Sequence, residues 1–214
     1  MKTIRVIYED GAHKWFAVVR DPAKPDYVID TNEYLVIDGD EAVLVDPGGN
    51  EVFPAVFSAL STQFDPRKIG KIFASHQDPD VVSSLSMWSE FNPDLKCYVS
   101  WLWSSFVPHY SGTRETFVEI PDSGMDILVG RQRLQAIPAH YLHSSGNFHL
   151  YDPKARILFS GDVGAALLPP GEDGIFVENF ARHIRHAEAF HRRWMGSERA
   201  KRDWCSRVSQ LDID

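Results

Sequence analysis

The stretch Phe73-Ala74-Ser75-His76-Gln77-Asp78-Pro79-Asp80 constrains this chain more than any other. Ile69 to Ala74 is a short apolar run, with Gly70 and Lys71 inside it, and reads as a buried strand. It stops at Ser75, and a histidine and two carboxylates follow at every second position. A tight loop at a strand end can turn His76, Asp78 and Asp80 toward one spot. Carboxylates held that close need compensating positive charge, and a metal ion supplies it most directly. The loop is therefore read as half of a metal site.

The chain before it is strand-rich. Thr3 to Tyr8 and Lys14 to Val19 are β-branched or aromatic runs separated by Asp10-Gly11. Tyr34 to Ile37 and Ala42 to Val45 flank Asp38-Gly39-Asp40, a strong hairpin signal. Asp46-Pro47-Gly48-Gly49 ends the second of these strands sharply. Val52 to Phe64 has helical spacing.

After the loop, Val81 to Phe91 suits a short helix and Lys96 to Ser100 a strand. Leu102 to Tyr110 is read as helical. Thr116 to Ile120, Met125 to Val129 and Arg133 to Pro138 are short strands, and the last ends at Ala139-His140-Tyr141-Leu142-His143. Asn147 to Tyr151 and Arg156 to Phe159 form a hairpin that runs into Ser160-Gly161-Asp162. Beyond Leu168-Pro169-Pro170-Gly171 the character changes to two helices. Glu178 to Gly196 carries a stripe of Phe180, Ile184, Ala187, Phe190 and Trp194, expected to lie on a core. Ser197 to Leu211 presents Trp204, Val208 and Leu211. Two β-rich halves packed face to face with helices outside make an α/β fold, a four-layer αβ/βα sandwich. His76, His143 and Asp162 then sit just after strands and line one edge of both sheets.

With 214 residues, 43% of them hydrophobic, the chain suffices for one large domain. A net charge of -8 disfavours nucleic acid and anionic membrane as partners. Cys97 and Cys205 have no metal-type spacing and read as free thiols. No signal peptide or membrane-length apolar run is visible, so a cytoplasmic location is expected.

Three pieces thus converge: His76-x-Asp78-x-Asp80, then His143-Ser144-Ser145-Gly146-Asn147, then Leu158-Phe159-Ser160-Gly161-Asp162. In this order they resemble the metallo-β-lactamase superfamily, whose signature is HxHxDH, a His in a GHTxGS-like loop and an Asp in LFxGD. Val43-Leu44-Val45-Asp46-Pro47-Gly48-Gly49 is similar to the superfamily's early strand ending in aspartate and glycine. Two departures are informative. Asp78 stands where the hydrolases have histidine, and Val81, which cannot coordinate, stands where they have a histidine for a second metal. A carboxylate at the second position resembles the flavodiiron branch, whose members bind two irons and reduce oxygen or nitric oxide. The single-domain oxygen-binding diiron proteins are the nearest resemblance. Such a harder, more anionic donor set favours iron or manganese over a nitrogen-rich zinc site.

The resemblance implies His76, Asp78 and His143 on one metal, Asp162 bridging, and Asp80 with Asp162 on the second. It also implies that residues 1–214 are one metallo-β-lactamase-like domain lacking its last strand, with a further histidine ligand beyond Asp214. The expected cofactors are two iron ions, with manganese or zinc as alternatives and no flavin in this chain. The expected partners are dioxygen or another small-molecule substrate, a separate electron-donor protein for turnover, and a second copy in a homo-oligomer. The alternatives are a metal-dependent hydrolase and a metal-poor binding module. His140 reads as a supporting or surface residue, His149 as structural, and Asp46 as a loop or supporting residue. His183, His186 and His191 lie among Arg182, Arg185, Arg192 and Arg193, on a basic face. Trp101, Trp103, Phe106 and Tyr110 read as core or as a shield beside the metal pocket.

Overall fold

The first sheet begins as a meander whose turns are written in the sequence. In the computed structural model, which describes residues 2–21, 29, 31–111, 117–169 and 174–214, strands β1 (Thr3–Asp10), β2 (His13–Val19), β3 (Glu33–Asp38) and β4 (Glu41–Val45) pair antiparallel in chain order. Gly39, at φ +64°, makes the tight turn between β3 and β4. The next strands, β5 (Lys71–Phe73), β6 (Lys96–Ser100) and β7 (Phe117–Ile120), extend the sheet in parallel. Parallel neighbours need crossovers. α1 (Phe53–Leu60) makes the first, and α2 (Pro79–Val82) with α3 (Leu85–Phe91) the second. α4 (Pro108–Ser111) lies in the third. The second sheet is antiparallel: β8 (Met125–Val129), β9 (Gln132–Pro138), β10 (Phe148–Asp152) and β11 (Ile157–Phe159), ordered β11-β10-β9-β8. Two helices follow, α5 (Phe180–Trp194) and α6 (Glu198–Val208).

Two apolar layers hold these parts together. Trp15, Val36, Val43, Val45, Phe73 and Ile120 of the first sheet pack against Ile127, Val129, Leu134, Ala136, Phe148 and Leu150 of the second. The other face of the first sheet, including Leu35, Leu44, Ile72 and Val99, packs under Val56, Leu60, Val82, Leu85 and Trp88 of the helices. Asp152 pins the two sheets: its Oδ2 lies 2.6 Å from both His13 Nε2 and the donating Trp15 Nε1, all buried. The order of layers is the αβ/βα arrangement expected from the sequence.

Three expectations are corrected. Val81 to Phe91 is two helices. The break falls at Ser84, whose hydroxyl donates to the Gly48 carbonyl at 2.7 Å. Of Leu102 to Tyr110, residues 102–107 are a run of turns and helix begins only with α4 at Pro108. The α5 stripe does not lie on a core along its length. Only Ala187 of this helix is buried, while Phe180 and Trp194 are 69% and 56% exposed. The helix rests its middle on the segment after Asp162, where Leu167 N–H donates to the His186 carbonyl, and its N-terminal end overhangs. Thr116, Pro170, Gly171 and the side chain of Tyr110 lie outside the described residues. Cys97 is buried and Cys205 exposed, both as free thiols. No helix among the described residues is long and apolar enough to cross a membrane.

Candidate metal centre

His76 follows β5, His143 follows β9 and Asp162 follows β11, so the ends of three strands in two sheets deliver the site. Phe148 N–H donates to the Ser75 carbonyl across the sheets at 3.0 Å, which joins the loops. His76, Asp78, His143 and Asp162 each bring one ligand atom into a group within 4.8 Å. His143 Nε2 lies 2.9 Å from Asp162 Oδ2, 3.4 Å from Asp78 Oδ2 and 3.3 Å from His76 Nε2. His76 Nε2 lies 3.5 Å from Asp78 Oδ2 and 3.7 Å from Asp162 Oδ2. Ligands about 2.1 Å from one ion stand about 3.0 Å apart at right angles and about 3.4 Å apart in a tetrahedron. The four atoms are therefore spaced as the ligands of a single cation, and their two-nitrogen, two-oxygen chemistry suits iron or manganese.

The surrounding side chains aim these atoms. Asp46, buried and at φ +49° after β4, accepts from Ser75 N–H at 2.7 Å and from the Ser75 hydroxyl at 2.6 Å. That hydroxyl, its own proton spent on Asp46, accepts from His76 Nδ1–H at 2.8 Å. The proton is thereby kept on Nδ1, and Nε2 is turned to the group, as a metal-ligating histidine requires. Gln77 acts on Asp78 in the same manner. Its Nε2 donates to Asp78 Oδ1 at 2.8 Å, leaving Oδ2 for the site. Its Oε1 accepts from the Ser144 hydroxyl at 2.6 Å, and Ser144 in turn accepts from Trp103 Nε1 at 3.0 Å. Gly146 lets these groups approach, for a Cβ there would lie 2.7 Å from Ser100 Oγ and Trp103 Nε1. The ring edges of Trp194 and Phe190 cover His143, with centroids 5.4 and 6.1 Å away.

The electrostatics carry the same signature. Burial would lower His76, but its bond to Asp78 and the charges of Asp162 and Asp46 outweigh it and lift the imidazole to about 9. A proton thus stands where a cation would. Burial raises Asp162, yet the hydrogen bond from His143 and the His76 charge hold it below the usual carboxylate range. Desolvation lifts Asp46 to about 6 against the pull of His76 and Ser75.

Asp80 is outside the group of four. Its carboxyl is raised by burial and then by the charges of Asp162 and Asp78, so it senses the same site. Val81 is buried in the outer core. His140 stacks edge-on to Phe148 and lies 3.4 Å from the Asp122 carbonyl. His149 is fully buried, takes a hydrogen bond from Trp204 Nε1 at 3.0 Å, and is pushed down to about 3, chiefly by burial. His183, His186 and His191 are not members of the group. Sequence reasoning missed Gln77, Ser75 and Ser144. The first two occupy the positions beside His76, and Ser144 follows His143, so adjacency to a ligand was the available signal.

The sequence matches the family described as ODP family beta lactamase over residues 29–214. No curated protein matches it. Among solved structures, the apo state of chemotaxis sensor ODP from T. denticola is similar at 38% identity and a TM-score of 0.88, covering 99% of this chain and 84% of that one. A peroxy diiron species of chemotaxis sensor ODP matches at 38% identity and a TM-score of 0.87, with the same coverage. A flavo di-iron protein from Thermotoga maritima shares the fold, at 21% identity and a TM-score of 0.82, over 100% of this chain and 55% of its own.

Proposed function

Because the chain belongs to the ODP family of beta lactamases, we propose that it is a single-domain dinuclear iron protein that binds dioxygen and serves as an oxygen sensor. The observation that carries this is the group of His76, Asp78, His143 and Asp162 within 4.8 Å. The 38% identity to a chemotaxis sensor described in a diiron state supports it. In this reading His76, Asp78, His143 and Asp162 would hold one iron, and Asp80 together with Asp162 would serve the second. Bound ferrous ions would supply open coordination positions for dioxygen and the electrons to reduce it.

The protein's own groups do the remaining work. Asp46 and Ser75 keep the His76 proton on Nδ1. Gln77 fixes which Asp78 oxygen faces the site. Phe190 and Trp194 cover one side of His143 and exclude water from it. His76, raised to about 9, would have to release its Nε2 proton for that nitrogen to hold a metal.

The test is to isolate the protein without air, measure its metals, and then admit oxygen. Two irons per chain and a new visible absorption band are expected. Zinc together with esterase or phosphodiesterase activity would overturn the proposal, as would less than one metal per chain after reconstitution.

A further inference from the structure

We infer that His191 is a positioning residue for the metal centre: its Nε2 accepts the Gly164 N–H and so holds the turn that carries Asp162. This rests on the proposed function, since positioning Asp162 matters only if Asp162 is a ligand.

The turn is built from local bonds. Val163 N–H donates to the Ser160 carbonyl at 2.9 Å, Ala165 N–H to that of Asp162 at 3.1 Å, and the Ser160 hydroxyl to that of Val163 at 2.7 Å. Gly164 adopts φ +102°, which an L side chain would resist, and this conformation turns its N–H to α5. There the N–H meets His191 Nε2 at 2.9 Å. On the other side of the ring, Nδ1 lies 2.7 Å from the Ala187 carbonyl, which can only accept, so the ring proton is on Nδ1. Both nitrogens are thereby spent within the protein. That explains why this histidine, one helical face from His143's aromatic cover, is not itself among the four clustered ligands.

A second tie, Leu167 N–H to the His186 carbonyl at 3.1 Å, is backbone to backbone and does not depend on side-chain identity. His191 is the tie a single substitution can remove. The same helix presses Phe190 and Trp194 on His143. α5 thus braces two ligands delivered by different loops, and His191 is its bond toward Asp162.

The experiment has a metal-free and a metal-loaded arm. In the apo protein, nitrogen NMR of unsubstituted His191 should show a protonated Nδ1 and a bare Nε2, and the Gly164 amide should exchange slowly. His191→Phe keeps the ring and removes the acceptor. It should speed Gly164 exchange about tenfold and weaken Co2+ binding 10- to 100-fold, the usual range for a group that orients a ligand. It should also alter the visible Co2+ spectrum. His191→Gln, whose Oε1 sits near the lost Nε2, should restore both readouts, and His183→Phe on the same helix should change neither. A protonated Nε2, or unchanged Gly164 exchange in His191→Phe, overturns the inference. So does unchanged Co2+ affinity, or failure of His191→Gln to rescue. If the unsubstituted protein binds no Co2+ at all, the proposed function fails, and the NMR arm still decides whether His191 holds the turn.

Discussion

Substituting Asp46 by Asn should stabilise the apo protein at neutral pH and weaken its metal site, two effects of opposite sign from one atom. Asp46 is buried and its carboxyl is raised from 3.8 to about 6, mainly by desolvation. A raised acid opposes folding once it ionises. The cost is absent below the unfolded value, grows as pH rises through the interval to about 6, and is complete above it. At about 1.4 kcal/mol per pH unit it reaches about 3 kcal/mol, of which about 1.4 kcal/mol accrues between pH 5 and 8. Asn is the neutral isostere and carries no such term. Its amide also reverses the chain of bonds beside it. Ser75 N–H still needs an acceptor, so the Asn oxygen faces it and the NH2 faces the Ser75 hydroxyl. That hydroxyl then donates to His76 Nδ1, and the neutral ring carries its proton on Nε2, the metal-facing atom. A 10- to 100-fold loss of metal affinity follows. Urea unfolding of both apo proteins at pH 5 and 8, with Co2+ competition titration at pH 8, measures the two effects. The reasoning is refuted if the stability difference does not move by about 1.4 kcal/mol in favour of the variant, or if metal affinity is unchanged.

Other expectations are simpler. His149 is lowered to about 3 by burial, so folded stability should be lost as pH falls below about 6.5 toward 3, by at most about 1.4 kcal/mol per pH unit. His149→Asn should show a shallower acid slope in the same unfolding assay. Gln77→Leu removes the donor to Asp78 and the acceptor for Ser144, and should weaken metal binding 10- to 100-fold by competition titration. His143→Ala should abolish binding of the first metal and His183→Ala should not. Equal metal loss in both would contradict the ligand assignment.

The candidate ligands were legible because each follows a strand that announces itself. β5 and β11 are short apolar runs and β9 alternates buried Leu134 and Ala136 with more exposed residues, and His76, His143 and Asp162 come three to five residues beyond their ends. The apolar runs Tyr34 to Ile37 and Ala42 to Val45 around the Asp38-Gly39-Asp40 turn likewise gave the β3–β4 hairpin. What sequence could not supply was contact between distant polar groups. Asp46 reaches Ser75 only because β4 and β5 pair in parallel, with Val45 beside Phe73. Ser144 and Gln77 meet only because the two sheets close at this edge. The α5 stripe misled for the converse reason. Helical spacing reports which residues share a face, not whether anything covers that face, and here small Ala187 alone is buried.

The most direct test of the central claim is X-ray absorption at the iron edge of protein loaded with ferrous iron under nitrogen. The account predicts nitrogen and oxygen neighbours, no sulfur, and an iron–iron vector of about 3.5–4 Å that is lost in His143→Ala. An iron shell containing sulfur, or an iron–iron vector that survives the substitution unchanged, would contradict it.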